Sequence, residues 1–160
     1  MGSDDVSHCF PLNGNVENPE IAGIENVIQT YKENSGKIKL LGPTQFSPIM
    51  RQVRDQINKD NNKKMYYILL ILTDGEIHDM EETMAEIESF SKENLPVSII
   101  IVGIGSENFS NMVRLDGDDI ELAKGCRDLV QFVKFEDIMM RSNKDEANEN
   151  LAALVLEEVP

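Results

Sequence analysis

Two oxygen-bearing side chains in this 160-residue chain could hold a hard cation or orient a nucleophile. Asp74 follows the apolar run YYILLILT (66–73) and precedes Gly75. Ligand sites in open doubly wound sheets lie at the carboxyl ends of strands, and a carboxylate beside a glycine that permits a close turn suits Mg²⁺. Thr44, in a Gly-Pro-Thr turn, could face the same edge. Each feature also has a local interpretation, because Asp-Gly forms turns and threonine begins helices.

Other motifs give weaker signals for chemistry. The acidic run Asp116–Asp119, with Glu121 nearby, could attract calcium, but it lacks the EF-hand continuation and is better interpreted as a solvated loop. Gly103-Ile-Gly105 follows a predicted strand but lacks the third glycine of a dinucleotide fingerprint. Nowhere does the sequence contain a phosphate-binding P-loop motif. His78, close to Asp74, is the histidine best placed to contact a partner.

The composition narrows the class of protein. The chain has 29 acidic and 15 basic side chains, a net charge of -14, so we expect repulsion from nucleic acid and anionic lipid. Its two cysteines, Cys9 and Cys126, have no zinc-ligand spacing, which favours a reducing intracellular compartment. The sequence shows no signal-peptide pattern and no run long enough to span a bilayer. We predict one domain over residues 6–160, with residues 1–5 a cloning remnant or linker.

Apolar periodicity predicts alternating strands and helices. The predicted strands are Val6–Asn13, Tyr66–Thr73, a strand from Val97, and Leu129–Phe135. The predicted helices run from Asn18-Pro19 to Lys32, through Ile49, Val53 and Ile57, over Glu81–Lys92, and over Lys144–Glu158. The first strand should be an edge because Pro11 donates no hydrogen bond, and the first helix should pack on a sheet. The second strand lacks alternation, so we expect it to be central and buried on both faces. The predicted fold class is α/β, a doubly wound, mostly parallel sheet with helices on both faces.

Taken together, the motifs are more specific than any one of them. The strings GPTQFSPI (42–49), YYILLILTDGEIHDM (66–80), LPVSIIIVGIG (95–105), LDGDD (115–119) and LVQFVKF (129–135) resemble, in order and spacing, the von Willebrand factor A domain of copines. The resemblance runs over essentially the whole chain. Copines are calcium-responsive phospholipid-binding proteins in which two C2 domains precede an A domain that recruits partner proteins. The resemblance implies a protein-binding module of a cytoplasmic protein that calcium recruits to membranes in signalling and trafficking.

The resemblance also implies a metal site. In A domains the metal-ion-dependent adhesion site combines an Asp-x-Ser-x-Ser motif after the first strand, a threonine from a later loop and an aspartate after the fourth strand. Thr44 matches the second of these and Asp74 the third, so Mg²⁺ or another divalent cation is expected in the complete domain, with a position open to a partner's carboxylate. The first element is missing, because the nearest string, DVSHC (5–9), ends in cysteine and has no strand before it. We therefore expect weak metal binding or none.

By the family pattern a first strand, first helix and second strand precede Val6. Their absence would leave Tyr66–Leu72 without a neighbour on one side, as a long apolar edge. We expect that the Val6–Asn13 strand closes this edge or that dimerisation or strand exchange completes it.

Two alternative functions remain. One is a peptide-interaction domain that needs no metal. The other is a Mg²⁺-dependent phosphoryl hydrolase built on Asp74-Gly75, which requires a nucleophilic aspartate where this sequence has Leu72. We therefore predict that the chain is not an enzyme.

Overall fold

The computed structural model describes residues 6–60, 65–116, 127–141, 144–157 and 159–160. The chain divides into two compact units, Met1–Thr44 and Gln45–Pro160. The predicted linker at residues 1–5 lies outside the described residues. None of the helices in the described part is long and apolar enough to cross a membrane.

The segment Val6–Asn13, predicted as an edge strand, is not a strand. It ends in a turn in which the Gly14 N–H donates to the Pro11 carbonyl over 3.0 Å. The Asn13 side chain then accepts from the Asn15 N–H over 2.9 Å. Local turn bonds of this kind compete with a β-ladder, and proline cannot donate to one. This segment therefore does not close the sheet.

Helix α1 (Ile24–Asn34) exists but begins later than predicted. It starts after Gly23, whose φ of 81° is available to glycine, rather than at Asn18-Pro19. None of its residues is buried, and its apolar side chains Ile24, Ile28 and Tyr31 are exposed. The predicted packing of this helix on a sheet stays a prediction. A short 3₁₀ turn, Ser35–Lys37, follows.

The C-terminal unit alternates helices with three parallel strands. Its elements are α2 (Ser47–Lys59), β1 (Tyr67–Thr73), α3 (Met80–Lys92), β2 (Val97–Gly103), α4 (Ser110–Leu115), β3 (Val130–Lys134), α5 (Phe135–Arg141) and α6 (Lys144–Val155). The sheet order is β1-β2-β3. The predicted α/β class is confirmed, as are the three strands and the helices α2, α3 and α6, whereas α5 was not predicted.

The central strand of the described sheet is β2, not β1 as predicted. All seven residues of β2 are buried, whereas β1 alternates between partly buried and exposed positions up to Thr73. Ile68, Leu70 and Leu72 are 51%, 56% and 62% exposed. The absence of alternation in the sequence of β1 predicted two buried faces, but one of its faces is uncovered among the described residues. The expectation that this strand would be an apolar edge is confirmed for the described sheet.

Helices pack on both faces of the sheet. The larger core joins α2, α3 and α4 to β2 through Met50, Phe90, Met112, Ile99 and Ile101. The smaller core lies on the opposite face, where α5 and α6 cover Val133 of β3 with residues that include Ile138 and Ala147. The two cores fix the strands whose carboxyl ends are described next.

Candidate metal site at the end of the first strand

Asp74 stands at the carboxyl end of β1, as the sequence predicted. The preceding Thr73 is buried, and its carbonyl accepts a hydrogen bond of 2.8 Å from the Ile104 N–H beyond the end of β2. Asp74 itself is exposed, as is Glu76, while Gly75 is partly buried. The sheet therefore holds the backbone up to Thr73 and presents the next carboxylate to solvent.

The far end of this loop is fastened by Asp79, which is 6% exposed. Its Oδ1 accepts from the Phe46 N–H over 2.9 Å, and its Oδ2 accepts from the Ser47 N–H over 2.8 Å. Burial acts to raise the pKa of this carboxyl, but the hydrogen bonds from Phe46 and Ser47 outweigh it and hold the pKa below its ordinary value. Asp79 thus serves as an ionised cap for the first turn of α2.

Between these two anchors, the buried side chain of Ile77 fixes the middle of the loop in the core. The Asp79 carbonyl also accepts from the Thr83 N–H over 2.9 Å, which starts α3. Residues 74–79 are therefore held at both ends and in the middle, while Asp74, Glu76 and His78 remain exposed. Such a loop can present a carboxylate to an ion or a partner with little ordering cost.

Thr44, the other predicted ligand, is exposed and is the last residue of the N-terminal unit. It precedes Phe46, whose N–H binds Asp79, by two residues in the sequence. Asp74 belongs to the C-terminal unit. The pairing of Thr44 with Asp74 around one cation stays a prediction.

The Phe109 ring packs against the carboxyl end of β2, beside Phe132 and Lys134 of β3. A Cβ on Gly103 would lie 2.9 Å from Cε1 of Phe109, so glycine is required by this close approach. The Phe109 ring packs at 5.7 Å from the ring of Phe132, and the Lys134 Nζ lies 5.9 Å from the Phe109 centroid. Gly103 is thus explained by packing and Gly105 by its φ of 98°, and the exposed carboxylate at the end of β1 is that of Asp74.

The acidic run after α4 has a structural role where it is described. The Asp116 carboxylate accepts a hydrogen bond from the Phe132 N–H of β3. The remaining acidic residues of this run, from position 118 to 121, lie outside the described residues. Within the described part of the chain, no group of three or more His, Cys, Asp or Glu side chains could hold a metal ion.

The donors near Asp74 therefore do not fit a complete magnesium shell. Mg²⁺ demands near-ideal octahedral coordination by oxygen. Asp79 is already committed to two backbone N–H groups, and the Thr73 hydroxyl faces the backbone of Gly75 at 3.4 Å. Asp74 is the carboxylate of this loop that is both exposed and directly adjacent to the strand end.

A cavity of about 450 Å³ lies elsewhere, between β3 and α6. Its lining includes Gln131, Val133, Lys134, Asp137 and Leu154. No residue of the loop after β1 lines it. The cavity is therefore separate from the predicted metal site.

Comparison with known proteins agrees with this architecture. The family model described as Copine matches residues 1–160. The chain belongs to the copine family. It is similar to Copine-A of Dictyostelium discoideum, with 44% identity over 166 residues that cover 99% of this chain and 26% of Copine-A. The chain therefore spans about a quarter of the length of this copine relative.

The position of Asp74 at a strand end was predicted from the sequence, whereas the role of Asp79 was not. His78, predicted to be able to contact a partner, is exposed, whereas the neighbouring Asp79 is buried. A signal was present, because an aspartate directly before Met-Glu-Glu is typical of a helix start. The structure shows that the Asp79 side chain caps α2, a helix more than thirty residues earlier, which no local pattern indicates. In this copine domain the loop is thus built by a long-range contact.

Proposed function

We propose that this copine domain is a protein-binding module whose contact point is the anchored loop after β1, with Asp74 as the carboxylate that faces a divalent cation. The observation that carries the proposal is the contrast within one loop. Asp79 is buried and engaged by two backbone N–H groups, whereas Asp74 is exposed at the strand end. A carboxylate so placed is available to an external ligand.

In this proposal a carboxylate of the partner protein supplies a further oxygen to the same cation. One exposed carboxylate at the strand end gives a weak site, so most of the shell comes from water and the partner. The cation would bridge the two proteins, and the net charge of -14 makes such bridging more valuable, because an acidic partner would otherwise be repelled. Catalysis is not part of this function.

Calcium-dependent binding of phospholipid, recruitment from the cytoplasm to membranes, and roles in signalling and trafficking are proposed for the full-length protein. They would reside in C2 domains. This domain would bind the partner protein rather than the lipid, because its net negative charge opposes binding to anionic lipid.

The test compares partner capture by the wild-type chain, Asp74→Ala and Glu76→Ala. Captured proteins are quantified by mass spectrometry in Mg²⁺ and again with EDTA. We expect a set of proteins that the wild type and Glu76→Ala capture in Mg²⁺ only and that Asp74→Ala loses at least about tenfold, as expected for a lost ligand of a bridging ion.

Glu76 is the matched control because it is an exposed carboxylate two residues further along the same loop. Capture that is insensitive to EDTA and unchanged in Asp74→Ala would contradict the metal-bridged mechanism and favour the metal-independent peptide-interaction domain. Equal losses in both variants would show a general charge effect.

A further inference from the structure

The exposed half of the loop after β1 has little packing of its own. Asp74 and Glu76 are exposed, and a Cβ at Gly75 would have nothing within 4 Å. The contacts of the Thr73 hydroxyl with the carbonyl and the N–H of Gly75 are long, at 3.4 and 3.5 Å. The position of the Asp74 carboxylate therefore depends on the residues that hold the two ends of the loop.

One end of the loop is fixed by the sheet. Thr73 is the last residue of β1 and lies in register beside Gly103 of β2. Its carbonyl accepts a hydrogen bond of 2.8 Å from the Ile104 N–H. Both partners in this bond are backbone groups, so this anchor belongs to the sheet and does not depend on the side chains of the loop.

The other end is held by two side chains that act in different ways. Ile77 is 5% exposed and packs in the larger core. Burial of an apolar side chain is favourable but non-directional, so it does not fix the orientation of the backbone. Asp79 instead accepts two directional hydrogen bonds, from the N–H groups of Phe46 and Ser47. Hydrogen bonds to an ionised acceptor are roughly twice as strong as those between neutral groups. Asp79 is thus the anchor that sets the direction of the loop.

Asp79 joins the loop to a part of the molecule that is itself buried. Phe46 is 6% exposed and packs in the same core as Ile77. Ser47, the first residue of α2, is also buried. The two hydrogen bonds therefore transmit the rigidity of a packed helix start to the loop that carries Asp74.

We propose that Asp79 is the positioning residue of the contact loop: by binding the start of α2, it holds Asp74 in the orientation in which a ligand meets it. This inference rests on the proposed function of the loop. Asp79 itself contributes no contact to the ligand, because it is buried and both of its oxygens are engaged by backbone N–H groups. Its effect is preorganisation, since a loop that is already ordered loses little conformational freedom on binding.

The test is ¹⁵N NMR relaxation of the full 160-residue chain, which measures the order of the loop without any ligand. In the wild type we expect backbone order parameters near about 0.85 at Gly75 and Glu76, and in Asp79→Asn values below about 0.6. Asp55→Asn makes the same chemical change at an exposed position of α2. Ile138→Ala lowers stability through the smaller core, in which no residue of the loop packs. Both controls should leave the loop order parameters unchanged.

The second readout is the broadening of backbone amide signals by Mn²⁺, the ion used as the probe. In the wild type we expect the Gly75 signal to broaden at a lower Mn²⁺ concentration than the Asp55 signal. Asp79→Asn should need about tenfold more Mn²⁺ for the same broadening at Gly75, because groups that orient a ligand residue typically change affinity by about 10–100-fold. Equal broadening of the two signals in the wild type would contradict the proposed function, whereas the order parameters would still decide the role of Asp79.

Asp79→Ser covers the case in which Asp79→Asn fails to fold, because a serine hydroxyl is also an acceptor suited to a helix start. We expect its loop order parameters to lie between those of the wild type and those of a free loop. A Gly75 amide as rigid as in the wild type in either variant would overturn the proposal. An equal loss of order in Ile138→Ala would overturn it as well, because the loop would then respond to stability in general.

Discussion

The contact between Asp79 and the start of α2 gives the sharpest prediction about the loop. Asp79→Asn preserves the volume of the side chain but removes its charge and replaces one acceptor oxygen by an N–H₂ group. One of the N–H groups of Phe46 and Ser47 then faces a donor, and the other faces a neutral acceptor. Hydrogen bonds to charged groups contribute about 1.5–3 kcal/mol each, and a lost helix cap about 1 kcal/mol. We expect the free energy of unfolding to fall by about 2–3 kcal/mol.

The assay is urea unfolding at neutral pH followed by far-UV circular dichroism. Asp55→Asn is the matched control, because Asp55 is an exposed residue of α2 and its loss should change stability by less than about 0.5 kcal/mol. A decrease in Asp79→Asn no larger than that of the control would refute the capping role.

The same contact predicts a pH dependence. The pKa of Asp79 is lower in the folded chain than its ordinary value. Its contribution to stability is therefore fully present above the unfolded-state pKa of about 3.9 and is lost as the pH falls through the folded-state pKa. The stability difference between wild type and Asp79→Asn should be constant near neutrality and shrink in acid. A difference that grows as the pH falls would contradict the assigned direction.

Two core substitutions test the packing around the strand ends. Gly103→Ala places a methyl group 2.9 Å from the Phe109 ring and should lower the free energy of unfolding, measured by thermal unfolding, by about 1–3 kcal/mol. Gly75→Ala is the control, because a methyl group there has nothing within 4 Å, and it should change stability by less than about 0.5 kcal/mol. Equal effects of the two substitutions would show that the Phe109 ring moves freely. Thr83 is fully buried, and its hydroxyl has no partner among the described residues, so Thr83→Val should be neutral or stabilise by up to about 1 kcal/mol. A clear loss of stability in Thr83→Val would reveal a hydrogen bond to that hydroxyl.

Much of the fold could be predicted because its strongest signals are local. The run at Val97 is apolar apart from Ser98, and β2 is buried along its whole length. In α2, Val53 and Ile57 repeat at helical spacing, and both pack in the larger core. These elements are long relative to the period that identifies them, so the pattern determines both their type and their inner face.

The predicted burial of both faces of β1 is wrong because burial depends on neighbouring elements rather than on the sequence of the strand itself. Ile68, Leu70 and Leu72 are as apolar as the residues of β2, but each is more than half exposed. The start of the first helix was predicted too early for a local reason. Asn18-Pro19 is a favourable helix start, but the helix begins after Gly23. Neither outcome can be derived from hydrophobic periodicity.

The candidate site was predicted only in part for the same reason. Asp74 was found because a residue directly after a strand must lie at the carboxyl end of the sheet. The role of Asp79 was not predicted, because it is a contact with Phe46 and Ser47, more than thirty positions away in the sequence. Pairings at such separation follow from the fold and not from the motif.

The most direct test of the proposed function is a Mn²⁺ titration followed by electron paramagnetic resonance, with Mn²⁺ standing in for Mg²⁺. For the wild type and Glu76→Ala we predict weak binding, with a Kd on the order of 1 mM, because this chain offers few oxygen donors. For Asp74→Ala we predict no binding above that of a non-specific acidic protein. Tight stoichiometric binding in the wild type, or equal binding by Asp74→Ala, would contradict the assignment of Asp74 as the metal-facing carboxylate.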